Sequence, residues 1–287
     1  MRTRRGRSIK FWAAASTQLY IKNREQVFSE AKRSELRDGA KKARSLDELS
    51  DILNPFLLSL GVSHTHFYSN RDPDYYVLRS LFTSRKLDEP KINHIGVQVE
   101  RIDGAYFVRA VLDGYPAEKA GLRKGDILKT VNGKPFQPFD SFNPKPGRIQ
   151  LNFVQNGNAK SVQLATVFES PHESFAHAMK NSVRVFERGG KKIGYVHLWC
   201  GTNEKFLEYL SYAVLKDFRE TDALILDLRD GFGGAWWDYL DPFFADTSQY
   251  FKSTFVDLNG KKPEQTAPAK KNPNSYSKPI VALINSG

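Results

Sequence analysis

The sequence predicts a multi-domain α/β chain with three parts. A helical N-terminal segment comes first, then a β-rich domain, then a partial α/β core with a mostly parallel sheet. Three observations carry this. Apolar residues recur at helical spacing before residue 61, and short strand-like runs bounded by turn residues fill 93–168. From Lys191 onward, short apolar runs alternate with helix-length segments, as in βαβ units. At 287 residues the chain has room for about two domains with ample core. The expected divisions are a basic segment over 1–24, a helical subdomain over 25–92, the β-rich domain over 93–168 and the core over 169–287.

Residues 1–20 hold Arg2, Arg4, Arg5, Arg7 and Lys10 before a short apolar stretch, Phe11–Ala15. That stretch is shorter than the ~7–15 apolar residues of a secretory leader, so no cleaved leader is read there. Ser45 and Glu48 form a capping-box pattern that opens a helix. Leu46, Leu49, Ile52, Leu53, Phe56, Leu57 and Leu60 share its apolar face, with Gly61 as the stop. Pro55 inside this run is expected to kink or split the helix. Directly after the stop stand Ser63 and His64. An imidazole with a hydroxyl beside it suits proton abstraction, and the same pair also suits an ordinary loop histidine held by backbone.

The middle domain reads as five short strands, His94–Glu100, Ala105–Leu112, Gly125–Lys134, Ile149–Gly157 and Ala159–Val167. A brief helix closed by Gly121 lies between the second and third. This combination resembles a PDZ domain. The resemblance implies that backbone N–H groups of the loop containing Asn93, Ile95, Gly96 and Val97 capture a peptide's terminal carboxylate. The peptide itself would add as a strand beside Gly96–Glu100.

In the core, strands are expected over Ile193–Trp199, Ala223–Leu228 and Ile280–Ile284, with a helix over Asn203–Phe218. Phe206, Leu207, Leu210, Val214 and Phe218 give that helix one apolar stripe. The run Thr221–Tyr239 is the centre of the core: a buried strand, the glycines Gly231, Gly233 and Gly234, then an expected helix over Ala235–Ala245. Such a corner gathers backbone N–H groups without helical partners and suits a phosphate or an oxyanion, though an ordinary strand-to-helix turn has the same spacing. Residues 246–278 are polar and read as a surface excursion.

Taken together, the helical segment, the PDZ-like block and the motifs Ser63-His64-Thr65, Lys192–Val196, Leu226–Arg229 and Gly233-Gly234 resemble the tail-specific (C-terminal-processing) serine peptidases and the tricorn core family. The resemblance implies a serine endopeptidase that cleaves peptide bonds after its PDZ domain recognises a protein C-terminus. Gly233 or Gly234 would supply an oxyanion-hole amide, and Asp227 and Arg229 would brace the loop. His64 would be the general base, steadied by Ser63, as in the tricorn-like branch; another branch uses a downstream lysine. The nucleophilic serine would follow the strand that leads into Asn285-Ser286-Gly287, so the chain is expected to stop just short of it, and Ser286 is not assigned that role. A non-catalytic PDZ-type peptide-binding protein is the alternative. An extracytoplasmic setting is favoured only because many such peptidases work there.

Other classes find little support. With 40% hydrophobic and 26% charged residues, no run approaches the ~18 apolar residues of a membrane span. The single cysteine, Cys200, allows no internal disulfide framework and reads as a small buried residue. Without a CxxC or His/Cys cluster, neither a metal nor another cofactor is expected. The net charge of +11 is dispersed in local groups such as Lys41–Arg44 and Lys270–Lys271, with no nucleic-acid-binding motif, so no nucleic acid is expected as partner. Trp236 and Trp237 read as core packing in preference to a groove wall.

Overall fold

The computed structural model describes residues 24–62, 65–81, 89–143, 147–246, 252–254, 256, 260, 262–266 and 270–285. Ser63, His64 and Ser286 lie outside the described residues. The chain divides into two compact units, Met1–Tyr75 with Ser253–Gln265, and Tyr76–Lys252 with Thr266–Gly287.

The first unit holds α1 (Arg24–Val27), α2 (Glu30–Lys42) and α3 (Leu46–Ser59). The capping box forms: Ser45 Oγ accepts from the Glu48 N–H at 3.1 Å. Glu48 reaches back to the Arg44 N–H at 2.6 Å, one residue beyond the usual reciprocal partner. Phe56, Leu57 and Leu60 of the α3 side pack with Leu36 of α2. Of the two outcomes expected of Pro55, a kink or a split, the split does not occur: α3 runs unbroken through it. Proline withdraws its donor from the Asp51 carbonyl, but both residues face solvent, where water can satisfy that oxygen. Gly61 ends the helix with φ +61°. Asn54 then clasps the returning chain, accepting from the Phe67 N–H at 2.8 Å and donating to the Phe67 carbonyl at 3.2 Å.

After α4 (Pro73–Leu81), β1 (Ile92–His94) leads into β2 (Val97–Ile102), β3 (Ala105–Val111), α5 (Pro116–Lys119), β4 (Ile127–Val131), β5 (Lys134–Pro135), β6 (Arg148–Gln155) and β7 (Asn158–Ala165). Strands β2-β3-β4-β6-β7 form one antiparallel sheet, with β5 paired to β4. Its core gathers Ile95, Val108, Leu122, Leu128, Leu151 and Phe153. Among the described residues, strand β2 pairs with β3 alone and is an edge. Strand β1 pairs instead with β8 (Val167–Glu169), outside that sheet.

The core follows with α6 (Pro171–Ser182), β9 (Arg184–Arg188), β10 (Lys191–His197), α7 (Glu204–Tyr212) and β11 (Ala223–Asp227). The excursion contains the short strands β12 (Lys252–Thr254) and β13 (Glu264–Thr266), and β14 (Ile280–Leu283) closes the described chain. The sheet order is β14-β11-β10-β9, parallel except for the β9–β10 pair. This is the mostly parallel sheet expected from the sequence. The stripe residues Phe206, Leu210, Val214 and Phe218 are all buried beside Val196 and Leu224. Beyond α7 the chain widens into a π-helical turn over Ala213–Asp217.

The expected helix over Ala235–Ala245 is corrected to one 3-10 turn, Trp237–Leu240. Trp236 is extended, its Nε1–H donating to Asp238 Oδ2 at 2.5 Å and its ring edge-on to Tyr239. The Tyr239 hydroxyl reaches the Asn203 carbonyl at 2.9 Å, and Pro242 removes a donor that a longer helix would need. Side-chain contacts override the local helical pattern. Trp236 packs on the core cluster, as its apolar reading required.

Candidate active site

Asp227 ends β11 with its carboxylate fully buried. It accepts from the Arg229 backbone N–H at 3.0 Å, from Arg229 Nε at 2.9 Å, from Arg229 Nη2 at 2.6 Å and from the Tyr195 hydroxyl at 2.9 Å. Burial alone raises a carboxyl pKa, but these donors, with His197 nearby, outweigh it and bring Asp227 down to about 2. An ionised, fully bonded carboxylate thus fixes the start of the glycine loop, the bracing role the resemblance implied.

The loop lies on the segment after β10. The Phe232 N–H donates to the Trp199 carbonyl at 2.8 Å, and the Gly201 N–H donates to the Gly233 carbonyl at 2.8 Å. Contact is close enough to require glycine: a Cβ on Gly234 would lie 2.6 Å from Thr202 Cγ2, at φ +92°. A Cβ on Gly233, at φ +46°, would meet open space. Among the described residues, neither the Gly233 nor the Gly234 N–H donates to a protein acceptor, and both glycines are exposed.

Behind the loop, His197 donates through Nε2 to the Arg229 carbonyl at 2.7 Å, donates its backbone N–H to Ser182 Oγ at 2.8 Å, and stacks on Trp199 at 3.7 Å. Trp199 Nε1–H donates to Asp113 Oδ2 at 2.9 Å, which ties the chain after β3 to the core. Beneath the loop, Cys200 Sγ lies 3.1 Å from Thr202 Oγ1, itself 3.0 Å from His172 Nε2. Burial pushes the Cys200 thiol up and the His172 imidazole down, so Cys200 stays a protonated packing residue. Glu89, His172 and Glu173 bring three ligand-type atoms within 4.8 Å of one another. Each is already engaged: Glu89 by the Ser170 hydroxyl at 2.5 Å, Glu173 by the Lys205 ammonium, His172 by Thr202.

The four residues expected to bind a carboxylate form one turn at the head of edge strand β2. Asn93 is buried, its N–H donating to Asn143 Oδ1 at 2.9 Å while Asn143 Nδ2 donates back to the Asn93 carbonyl at 3.1 Å. The Ile95 carbonyl accepts from the Ala117 N–H at 2.9 Å. The Gly96 N–H donates to His94 Nδ1 at 3.1 Å, and a Cβ there would sit 2.3 Å from Tyr115 Cβ, at φ +82°. Val97 opens β2. Two of the four amides therefore already have side-chain acceptors, which a ligand carboxylate would have to displace. His94 is half-buried, and desolvation lowers its pKa to about 4; with Nδ1 accepting, its Nε2–H faces Ser174 Oγ at 3.0 Å. Ser174 and Tyr115 both donate to Glu169 Oε2, at 2.9 and 2.5 Å.

The proposed base and its orienter, His64 and Ser63, lie outside the described residues. Asp113, Trp199, His197 and Tyr195 were not anticipated, because their partners stand 32 to 86 residues away in sequence. Only the strand-end aspartate followed by arginine was a local signal.

Comparison with known proteins agrees with this architecture. Residues 107–142 match the PDZ domain family, and residues 192–287 match peptidase family S41. Two curated relatives are probable periplasmic serine endoproteases, DegP-like, from Ectopseudomonas mendocina (strain ymp) and Pseudomonas fulva (strain 12-X). They are 28% and 27% identical over 140 residues, 46% of this chain in each case. The chain spans 29% of the length of each. Among solved structures, a photosystem II D1 C-terminal processing protease superposes with a TM-score of 0.55 at 17% identity, covering 99% of this chain and 75% of that one, and shares the fold. A stretch matching the PDZ domain family thus stands ahead of an α/β core whose residues 192–287 match peptidase family S41.

Proposed function

We propose that the chain is the PDZ-bearing part of a serine endopeptidase that recognises protein or peptide C-termini and cleaves the polypeptide they end. The observation that carries this is the Gly233–Gly234 peptide. Its carbonyl is held by the Gly201 N–H, and in a planar trans peptide the Gly234 N–H then points the opposite way, with no acceptor among the described residues. A fixed N–H at the C-terminal end of a central parallel strand suits the oxyanion of acyl transfer. Gly234, in preference to Gly233, is the donor. A serine following β14 attacks the scissile carbonyl, His64 takes its proton and returns it to the departing amine, and water then releases the acyl group. Ser63 orients the imidazole.

Substrate selection falls to the free edge of β2, where a peptide adds as a strand and its carboxylate meets the Asn93–Val97 turn. The periplasmic naming of the two curated relatives supports an extracytoplasmic setting. No helix among the described residues is long and apolar enough to cross a membrane. The test is cleavage of an unstructured polypeptide bearing either a free or an amidated C-terminus. Turnover should require the free carboxylate, and His64→Ala should abolish turnover while peptide binding persists. Equal cleavage of both substrates removes the PDZ role, full activity of His64→Ala moves the base to a lysine, and binding without any cleavage supports the peptide-binding alternative.

A further inference from the structure

Among the described residues four non-glycine residues have positive φ: Asp103, Asn132, Asn156 and Asp230. The first three each precede a glycine that also has positive φ, in the tight turns 103–104, 132–133 and 156–157, where that conformation suits a hairpin. Asp230 connects no hairpin, and the following Gly231 is not in the left-handed region. It sits in the turn over 229–230 at φ +55°, and a second chain segment also holds it there. The hydrogen bonds identify it. The Asp230 N–H donates to Asn285 Oδ1 at 2.7 Å, and Asn285 Nδ2 donates to Asp230 Oδ1 at 3.1 Å. Lys124, just before β4, places its ammonium 3.1 Å from Asp230 Oδ2.

We propose that Asp230 and Asn285 are positioning residues, a reciprocal two-bond clasp that sets the glycine loop against the chain leaving β14, steadied from the PDZ side by Lys124. The inference rests on the peptidase reading above. There, the oxyanion donor lies four residues after Asp230 and the nucleophile follows β14, so the clasp joins the two halves of the site. Their separation must be held closely, because a misplacement of about 1 Å costs about 10²-fold in rate. The relative weight of the contacts follows from exposure and geometry. The Lys124 side chain is 63% exposed, so its ion pair is a minor contribution; Asn285 is exposed as well, and the weight of the clasp lies in two reciprocal bonds that fix one geometry.

The test compares Asp230→Ala, Asn285→Ala, their double variant, Asp230→Asn and Lys124→Met in the protein that carries the serine after β14. Asp230→Ala and Asn285→Ala should each lower kcat by about 10²-fold with KM little changed, and the double variant should be no worse than either. Asp230→Asn tolerates positive φ and keeps an acceptor for Asn285, so it and Lys124→Met should stay within about fivefold of wild type. Additive losses, losses confined to KM, or an Asp230→Asn as damaged as Asp230→Ala would overturn the assignment. Hydrogen exchange at the Asp230 amide gives a readout without turnover: Asn285→Ala should speed it by about tenfold. An unchanged rate removes the clasp. A responsive amide in a wild-type protein that carries the serine after β14 and cleaves nothing removes the peptidase reading, and the clasp's catalytic role with it, while the clasp itself stands.

Discussion

Asp227→Asn tests the physical account of the loop most directly, because it changes charge at nearly constant volume. The wild-type carboxylate is fully buried and titrates near 2 in place of 3.8. A folded-state pKa below the unfolded value stabilises the protein above the unfolded value, and the contribution is lost as pH falls through the folded one. The size of the shift corresponds to about 2 kcal/mol, complete above about pH 5 and gone near pH 2. The asparagine adds a second cost, since its Nδ2 faces the Arg229 and Tyr195 donors in place of an acceptor. Arg229 is half-exposed and can turn to water, so the total at pH 7 should be about 2–4 kcal/mol, towards the low end for breaking a buried pair. Urea unfolding followed by tryptophan fluorescence, at steps from pH 7 to pH 2.5, measures both parts. Exposed carboxylates common to the two proteins cancel in the difference. The gap should narrow by about 2 kcal/mol between pH 5 and pH 2.5. A gap that stays constant with pH would show that charge is not what holds Asp227, and the reasoning would fail.

Three further outcomes are expected. Gly96→Ala meets both a positive φ and the Tyr115 side chain, so thermal unfolding should show a loss of about 2 kcal/mol or more, and anisotropy should show loss of peptide binding; a wild-type melting temperature with intact binding would contradict the close packing. Gly234→Ala should lower turnover by about 10²–10³-fold, whereas Gly233→Ala, whose Cβ has room, should be clearly milder; the reverse order would reassign the oxyanion donor. Trp199→Phe keeps the stack on His197 but loses the hydrogen bond to Asp113, which should cost about 1.5–3 kcal/mol in urea unfolding; an unchanged midpoint would show that this bond does not join the two parts.

What the sequence made legible was set by short-range physics. Ser45 and Glu48 announced α3, the stripe from Phe206 to Phe218 announced a buried helix face, and the apolar run at Ala223 announced a central strand. Where a local rule met a tertiary contact, the contact prevailed. Pro55 was read as a kink or a split, yet α3 runs through it with its missing bond on the solvent side. Ala235–Ala245 was read as a helix, yet Trp236 and Tyr239 are spent on Asp238 and Asn203. Strand β9 escaped notice because its residues are exposed and mostly charged, so no alternation marks them. The site divides in the same way. Gly233, Gly234 and the Asp227–Arg229 pair lie within a few residues of each other and could be found together. Asp113, Lys124 and Asn285 reach the loop only through the fold.

The π turn over Ala213–Asp217 has an evolutionary corollary. It delivers Phe218 onto β10 so closely that a Cβ on Gly194 would lie 2.7 Å from the ring. A π turn carries an extra residue relative to an α turn, and each residue advances an α-helix by about 100°. Losing a single codon between 213 and 217 would restore regular α geometry and swing the phenylalanine away from the sheet, opening a ring-sized void over position 194. Such a deletion could persist only alongside a larger side chain at 194. The length of this turn and the absence of a side chain on the neighbouring strand therefore constrain one another.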